Sequence, residues 1–291
     1  MELIQLGEKT YYIKNNTNIG IYKIDEKNVY LIDAGNDKDA GKKILKILEE
    51  HGWTCKGVIL THSHADHIGG AKVIQDRTGC VVLAHKIEKC FTEYPILEPS
   101  FLYGAYPLKD LQNKFLMAKE TKVLEVEEHL PDGLEILTLK GHSFDMIGIK
   151  TSDNICFLGD SLFSEETMQK YHVSFLYNVK EFLNSLDHLS TLEGRFYIPS
   201  HSEGTSNIKD LITLNRNKVQ EICQSIYNIC QEEKTWEEIL TELFNHYHLI
   251  MNITQYVLIG STLKAYLTYL YEKEKLIFTI KDNKVLWHQK K

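Results

Sequence analysis

The sequence predicts a mixed α+β fold: a β-rich region with helices outside it, followed by a helical C-terminal region. Three observations carry this. Short apolar runs bounded by turn residues recur up to about residue 204. Between some of them lie stretches of helical period, such as the Ile44, Leu45, Ile47 and Leu48 stripe. Beyond Gly204, apolar residues recur at three-to-four spacing over much longer segments. At 291 residues the chain is about twice a common domain length, so a large domain over 1–204 and a smaller one over 205–291 is the natural division.

Taken in order, residues 1 to about 35 alternate short strands with turns. Val29-Tyr30-Leu31-Ile32 reads as a buried strand running into Asp33-Ala34-Gly35. A helix is expected near Asp39–His51, then strand Val58–Leu60, a helix opened by Asp66-His67, and strand Cys80–Ala84. Strands near Lys122–Val126, Leu134–Leu139, Ile147–Thr151 and Ile155–Leu158 form a second β-rich half. A helix near Val179–Leu192 leads to strand Phe196–Ile198. Ile208, Ile212, Val219, Ile222, Ile226 and Ile229 mark a long amphipathic helix, with Asn215 its polar exception. Thr235 and Glu238 form a capping box ahead of Ile239-Leu240 and Leu243-Phe244. Thr254 is placed to cap a third helix carrying Leu258, Leu263, Leu267 and Leu270. Leu276–Ile280 and Val285–Trp287 flank the Asp282-Asn283 turn as a hairpin.

The chemistry concentrates at His62-Ser63-His64-Ala65-Asp66-His67, directly after Val58-Ile59-Leu60. Core packing has no use for three imidazoles and a carboxylate beside an apolar strand. Neutral imidazole and carboxylate are N/O ligands suited to zinc, and a metal pair can share such a cluster. Three more strand-like runs end in a lone His or Asp: Gly141-His142-Ser143, Gly159-Asp160-Ser161 and Pro199-Ser200-His201. Open α/β sheets place their ligands at such strand ends. Each taken alone has a bland reading, as a buried histidine or a turn aspartate.

With these residues in place the chain resembles the metallo-β-lactamase-fold hydrolase superfamily, in its glyoxalase II-like and winged-helix-bearing branches, from about Asn18 to about Glu203. Asp33, the His62–His67 cluster, Gly141-His142-Ser143, Gly159-Asp160 and His201 match the superfamily's five landmarks in order. The resemblance implies a four-layer αβ/βα sandwich with a C-terminal helical, winged-helix-like domain. It implies that His62, His64 and His142 hold one metal and Asp66, His67 and His201 a second, with Asp160 bridging. Asp33 would brace the His-rich turn. Two zinc ions are the expected cofactors, with iron or manganese as alternatives. A pair of divalent cations lowers the pKa of a shared water and polarises the scissile bond. Asp66 would orient the resulting hydroxide. The expected activity is therefore hydrolysis of an ester, thioester or related bond in a small molecule. The alternative is a metal-dependent RNA nuclease. Relatives often carry Pro and Gly after the third landmark, whereas Phe144 and Asp145 follow here, which bears on the loop's shape and leaves His142 untouched.

Two regions are not absorbed by the motifs. The stretch from Lys86 to Thr121 is long for a connection and rich in aromatics, among them Phe101, Tyr103 and Tyr106. It reads as a lid on the substrate pocket, or as a packed surface elaboration or dimer contact. From Leu263 onward, seven lysines stand against Glu272, Glu274 and Asp282, a local balance of +4. A helical cap packed on the catalytic domain or on a twin subunit is the preferred reading of this region, and a nucleic-acid contact is the alternative. The overall charge of −7 and pI of about 6.0 argue against whole-protein attraction to nucleic acid. Six cysteines, none in a C-x-x-C pair, suit reduced thiols. With no basic n-region and no membrane-length apolar run, the expectation is a cytoplasmic protein.

Overall fold

Residues 1–290 are described in the computed structural model of the chain. An antiparallel meander opens it: β1 (Glu2–Gln5), β2 (Thr10–Lys14), β3 (Ile19–Lys23) and β4 (Asn28–Ile32). The chain then crosses over through α1 (Lys38–Glu50), whose free N–H groups at Asp39 and Ala40 are capped by the Asp37 side chain. It returns parallel to β4 as β5 (Thr54–Ile59). After the short α2 (Ala65–Ile68) and α3 (Ala71–Thr78) comes β6 (Val81–Ala84), again parallel. The segment 86–121 is helical, with α4 (Lys86–Glu93), α5 (Leu97–Tyr103) and a 3₁₀ turn at Lys109–Leu111.

The strand expected over Lys122–Val126 shrinks to β7 (Leu124–Glu125), and Val126 already opens α6 (Val126–His129). The reason lies next door. β6 ends at Ala84, so only Leu124 and Glu125 have strand partners, and Val126 buries its side chain between the sheets instead. A second sheet follows from β8 (Leu134–Thr138), β9 (Ile147–Thr151) and β10 (Ile155–Phe157). Next come α7 (Glu165–Tyr171), which the periodicity did not announce, α8 (Val179–Thr191) and β11 (Phe196–Ile198), which pairs parallel with β10. The C-terminal region contributes α9 (Lys209–Ile229), α10 (Trp236–His246) and α11 (Ile253–Glu272). It ends in the hairpin β12 (Leu276–Lys281) and β13 (Lys284–Gln289). Asn252, not Thr254, caps α11, its side chain accepting from the Gln255 N–H at 3.0 Å. Asn is at least as good an N-cap as Thr, and it comes first along the chain.

The layers follow from where the apolar faces meet. The seven-stranded sheet runs β1 to β7 in order, and the four-stranded sheet runs β11-β10-β9-β8. Their inner faces enclose Ile32, Ile59, Leu83, Ile147, Ile149 and Phe157. A fully buried side chain of this kind contributes about 1.5–3 kcal/mol. The outer face of the first sheet packs on α1 and α3 through Ile44, Leu48 and Ile74. The outer face of the second carries Phe182, Leu186 and Leu189 of α8, in a cluster that continues into α9, α10 and α11. This is the αβ/βα sandwich in four layers. Among the described residues no helix is long and apolar enough to cross a membrane.

Candidate metal centre

The seven candidate ligands come together at the ends of these strands, where the two sheets open onto one cavity. The turn after β5 carries His62 and His64, and α2 carries Asp66 and His67. This helix is cut short by Gly69-Gly70, where side chains would collide with the backbone of Asn36 and Ala34 at 2.4 and 2.2 Å. His142 follows β8, Asp160 follows β10, and His201 follows β11. Gly141 makes the third landmark possible. Its φ is +118°, and a β-carbon there would sit 2.1 Å from the backbone nitrogen of Phe182 in α8. Gly141→Ala is therefore expected to cost about 3 kcal/mol in a urea denaturation series, through strain and overpacking.

Ligand atoms converge in two groups sharing one carboxylate. His64 Nδ1 stands 3.1 Å from His62 Nε2 and 2.9 Å from His142 Nε2. Asp66 Oδ2 lies 3.7 Å from His67 Nε2 and 3.1 Å from His201 Nε2. Asp160 sits between the groups, its oxygens 3.2 Å from His67 Nε2, 3.4 Å from His142 Nε2 and 3.3 Å from His201 Nε2. Three sets drawn from these residues have ligand atoms all within 4.8 Å of one another. Tetrahedral zinc with bonds of about 2.0–2.1 Å needs nitrogens spaced about 3.3 Å apart, close to the spacing of the first group. His67 Nε2 and Asp160 Oδ1 are buried and make no hydrogen bond. They stand 3.2 Å apart without the alignment of a hydrogen bond, and a divalent cation would satisfy both.

The electrostatics divides the same way. Burial takes His64 down to about 4 and His142 down to about 3, although Asp160 pulls both upward, and it leaves His62 well below its ordinary value. Three neutral imidazoles result, the form that ligates. Burial also opposes charge on His67 and His201, yet Asp160 and Asp66 raise them to about 10 and about 12. Burial resists ionisation of Asp66 as well, but His67 and His201 hold it below the usual carboxylate range. Asp160 is lowered likewise by His201 and His67. A metal held in this half would take the place of the two imidazole protons.

Braces fix the ring orientations. Asp33 at the end of β4 accepts from the Thr61 N–H at 2.8 Å and from the Thr61 hydroxyl, and contacts His67 Nδ1 at 2.8 Å. Two further carboxylates went unread in the sequence. Glu88 of α4 is fully buried and accepts from the Ser63 N–H and hydroxyl, the Ser143 hydroxyl and the Asp145 N–H. Glu98 of α5 faces His64, and burial, assisted by Glu88, raises it to about 8. In the sequence Glu88 stands in the polar run Lys86-Ile87-Glu88-Lys89, which reads as a solvated face. The departure at Phe144-Asp145 is explained by the same segment. Phe144 stacks on Tyr177 at 4.0 Å and meets Phe91 and Phe101, while Asp145 is tied to Glu88 and Lys140.

The cavity in front of the ligands has a volume of about 710 Å³. His64, Asp66, Asp160 and His201 form its floor, with Phe163, Val173 and Phe175 on one side. Leu258 and Ile259 of α11 and residues 114–116 of the helical segment complete the walls.

A sequence profile of the metallo-beta-lactamase superfamily matches residues 13–201. The chain is 27% identical over 140 residues to the hydroxyacylglutathione hydrolase GloC of Haemophilus influenzae, a match covering 48% of this chain and 63% of that one. A hydroxyacylglutathione hydrolase of Rhodopseudomonas palustris is 30% identical over 132 residues, covering 45% and 43%. The chain thus spans less than two thirds of the length of these relatives. A solved metallo-beta-lactamase family protein from Thermus thermophilus matches with a TM-score of 0.69 at 19% identity, over 94% of this chain and 93% of that one. A beta-lactamase domain protein from Burkholderia ambifaria gives 0.71 at 14% identity, over 99% and 93%. At these identities the structural likeness is one of fold.

Proposed function

The chain belongs to the metallo-beta-lactamase superfamily, and from that premise we propose that it is a dinuclear-metal hydrolase acting on an ester or thioester of a small molecule. The observation that carries the proposal is the facing pair of unsatisfied buried atoms, His67 Nε2 and Asp160 Oδ1, at the middle of seven ligand-type side chains. His62, His64 and His142 would hold one cation, Asp66, His67 and His201 the other, and Asp160 both. Zinc suits this N/O set best, with iron or manganese as substitutes. When bound, the metals supply an activated water and a Lewis acid for the scissile carbonyl.

The chain's own residues do the rest. Asp66, whose side chain is 44% exposed, presents its carboxylate at the cavity floor, where it orients the attacking hydroxide. Phe163, Val173, Phe175, Leu258 and Ile259 receive the apolar part of the substrate and exclude bulk water. Lys114 and Lys170 line the rim, suited to an anionic leaving group. The catalytic domain is then 1–204, with 86–121 as a lid and 205–291 as a cap whose α11 closes one wall. The two curated relatives are named for hydrolysis of a glutathione thioester, which favours thioester over other esters.

Among the described residues, none of the lysines after Leu263 lines the cavity, which favours a small substrate over RNA. Metal analysis combined with thioester, carboxylic ester and phosphodiester substrates tests the proposal. The expected result is two metals per chain, with turnover of thioesters exceeding that of phosphodiesters. A protein that cleaves RNA, and binds it with an affinity falling steeply as salt rises, would replace this reading with the nuclease.

A further inference from the structure

Metal-bound histidines nearly always donate their outer ring N–H to a carboxylate, carbonyl or water, which fixes tautomer and orientation. Three of the five imidazoles here have such a partner at hydrogen-bond distance, and a fourth has a hydroxyl. His67 Nδ1 meets Asp33 at 2.8 Å, His142 Nδ1 meets the Phe175 carbonyl at 2.9 Å, and His201 Nδ1 meets the Asn16 carbonyl at 2.8 Å. His62 Nδ1 meets the Thr61 hydroxyl at 3.1 Å. The fifth is different. His64 turns Nδ1 inward to the ligand cluster and Nε2 outward, where the one acid facing it is Glu98, with Oε1 at 3.7 Å.

Glu98 has little else to do. Its side chain is 10% exposed, lines the cavity, and among the described residues makes no hydrogen bond. Burial disfavours the ionised form of such a group, and a donor brought within reach would offset that. The helix that carries it is held by apolar contacts, Leu102 of α5 packing with Leu111, Leu116 and Val257 of α11. A movement of roughly 0.8 Å would bring Oε1 into hydrogen-bond range of the ring.

We propose that Glu98 accepts the Nε2–H of His64 in the metal-loaded protein and so acts as the positioning residue through which the 86–121 segment holds the first metal. The inference rests on the dinuclear reading above. It makes that segment, and α11 behind it, part of the support of the metal centre. Glu98 touches no reacting atom in this role. It selects the tautomer that leaves His64 Nδ1 free to ligate.

Zinc affinity measured by chelator competition tests this on the full chain. Wild type is expected to take two zinc ions, and Glu98→Leu to bind one of them about 10–100-fold more weakly while keeping the other. Glu98→Gln, whose amide oxygen still accepts, is expected to stay near wild type. In zinc-loaded wild type, nitrogen-15 imidazole spectra are expected to show a His64 Nε2–H protected from solvent exchange, a readout that needs no variant to fold. Overturning results are a Leu variant that binds both ions with wild-type affinity, one altered in KM alone, or a freely exchanging His64 proton. A wild-type chain that takes up no zinc fails the dinuclear reading itself, whereas two tight ions in both wild type and Glu98→Leu fail Glu98 alone.

Discussion

Asp160→Ala is expected to abolish turnover and to bring bound metal well below two per chain. Asp160 reaches both halves of the centre, lying within 3.4 Å of His67, His142 and His201. Its loss removes a ligand from each half and the negative charge that would offset repulsion between two cations. A Lewis acid supplies several kcal/mol of transition-state stabilisation, and each 1.4 kcal/mol is about tenfold in rate. A fall of at least about 10³-fold in kcat/KM follows. The variant should still fold, because Asp160 is held only by the other ligands. Metal analysis and steady-state kinetics on the same preparation check this. Unchanged activity in Asp160→Ala would refute the bridging role outright.

That Asp160 could be singled out at all shows what kind of information a sequence exposes. The His62–His67 cluster is local, so its excess of ligating groups is visible before any fold is known. His142, Asp160 and His201 are single residues, legible because each stands just past an apolar run, where strand ends meet in the sandwich. The layer order followed from the two β-rich halves together with the family resemblance. What stayed hidden depends on contacts between distant segments. Glu88 stands in a polar run that looks solvent-facing and Glu98 in an aromatic-rich one, and only tertiary packing buries both carboxylates. The short β7 departs from the sequence expectation for a similar reason. Strand propensity in Lys122–Val126 was overruled by the early end of its partner β6. Asn252 took the cap expected of Thr254 because both residues suit the position and only backbone geometry decides between them.

Glu88 gives the second large effect. Its Oε2 accepts the Ser63 N–H at 2.9 Å and the Ser63 hydroxyl at 2.6 Å. Its Oε1 accepts the Ser143 hydroxyl at 2.7 Å and the Asp145 N–H at 2.9 Å. Ser63 lies between His62 and His64, and Ser143 follows His142, so one buried carboxylate clamps the backbone beside all three ligands of the first group. Glu88→Ala strands these buried donors, at about 1–3 kcal/mol for each that finds no partner. The two hydroxyls can turn elsewhere, but the two backbone N–H groups cannot. The net loss is expected at about 3–5 kcal/mol, a fall of roughly 10 °C in melting temperature. Glu88→Gln is informative because it should not rescue. Glutamine has one acceptor oxygen, so whichever way its amide is turned, its NH₂ confronts either the Ser63 or the Asp145 N–H. This is the reverse of the pattern at Glu98, where a single acceptor suffices. Thermal melts of metal-free protein, followed by zinc titration, read the two effects separately. A Gln variant as stable as wild type would mean that the clamp does not hold the two loops.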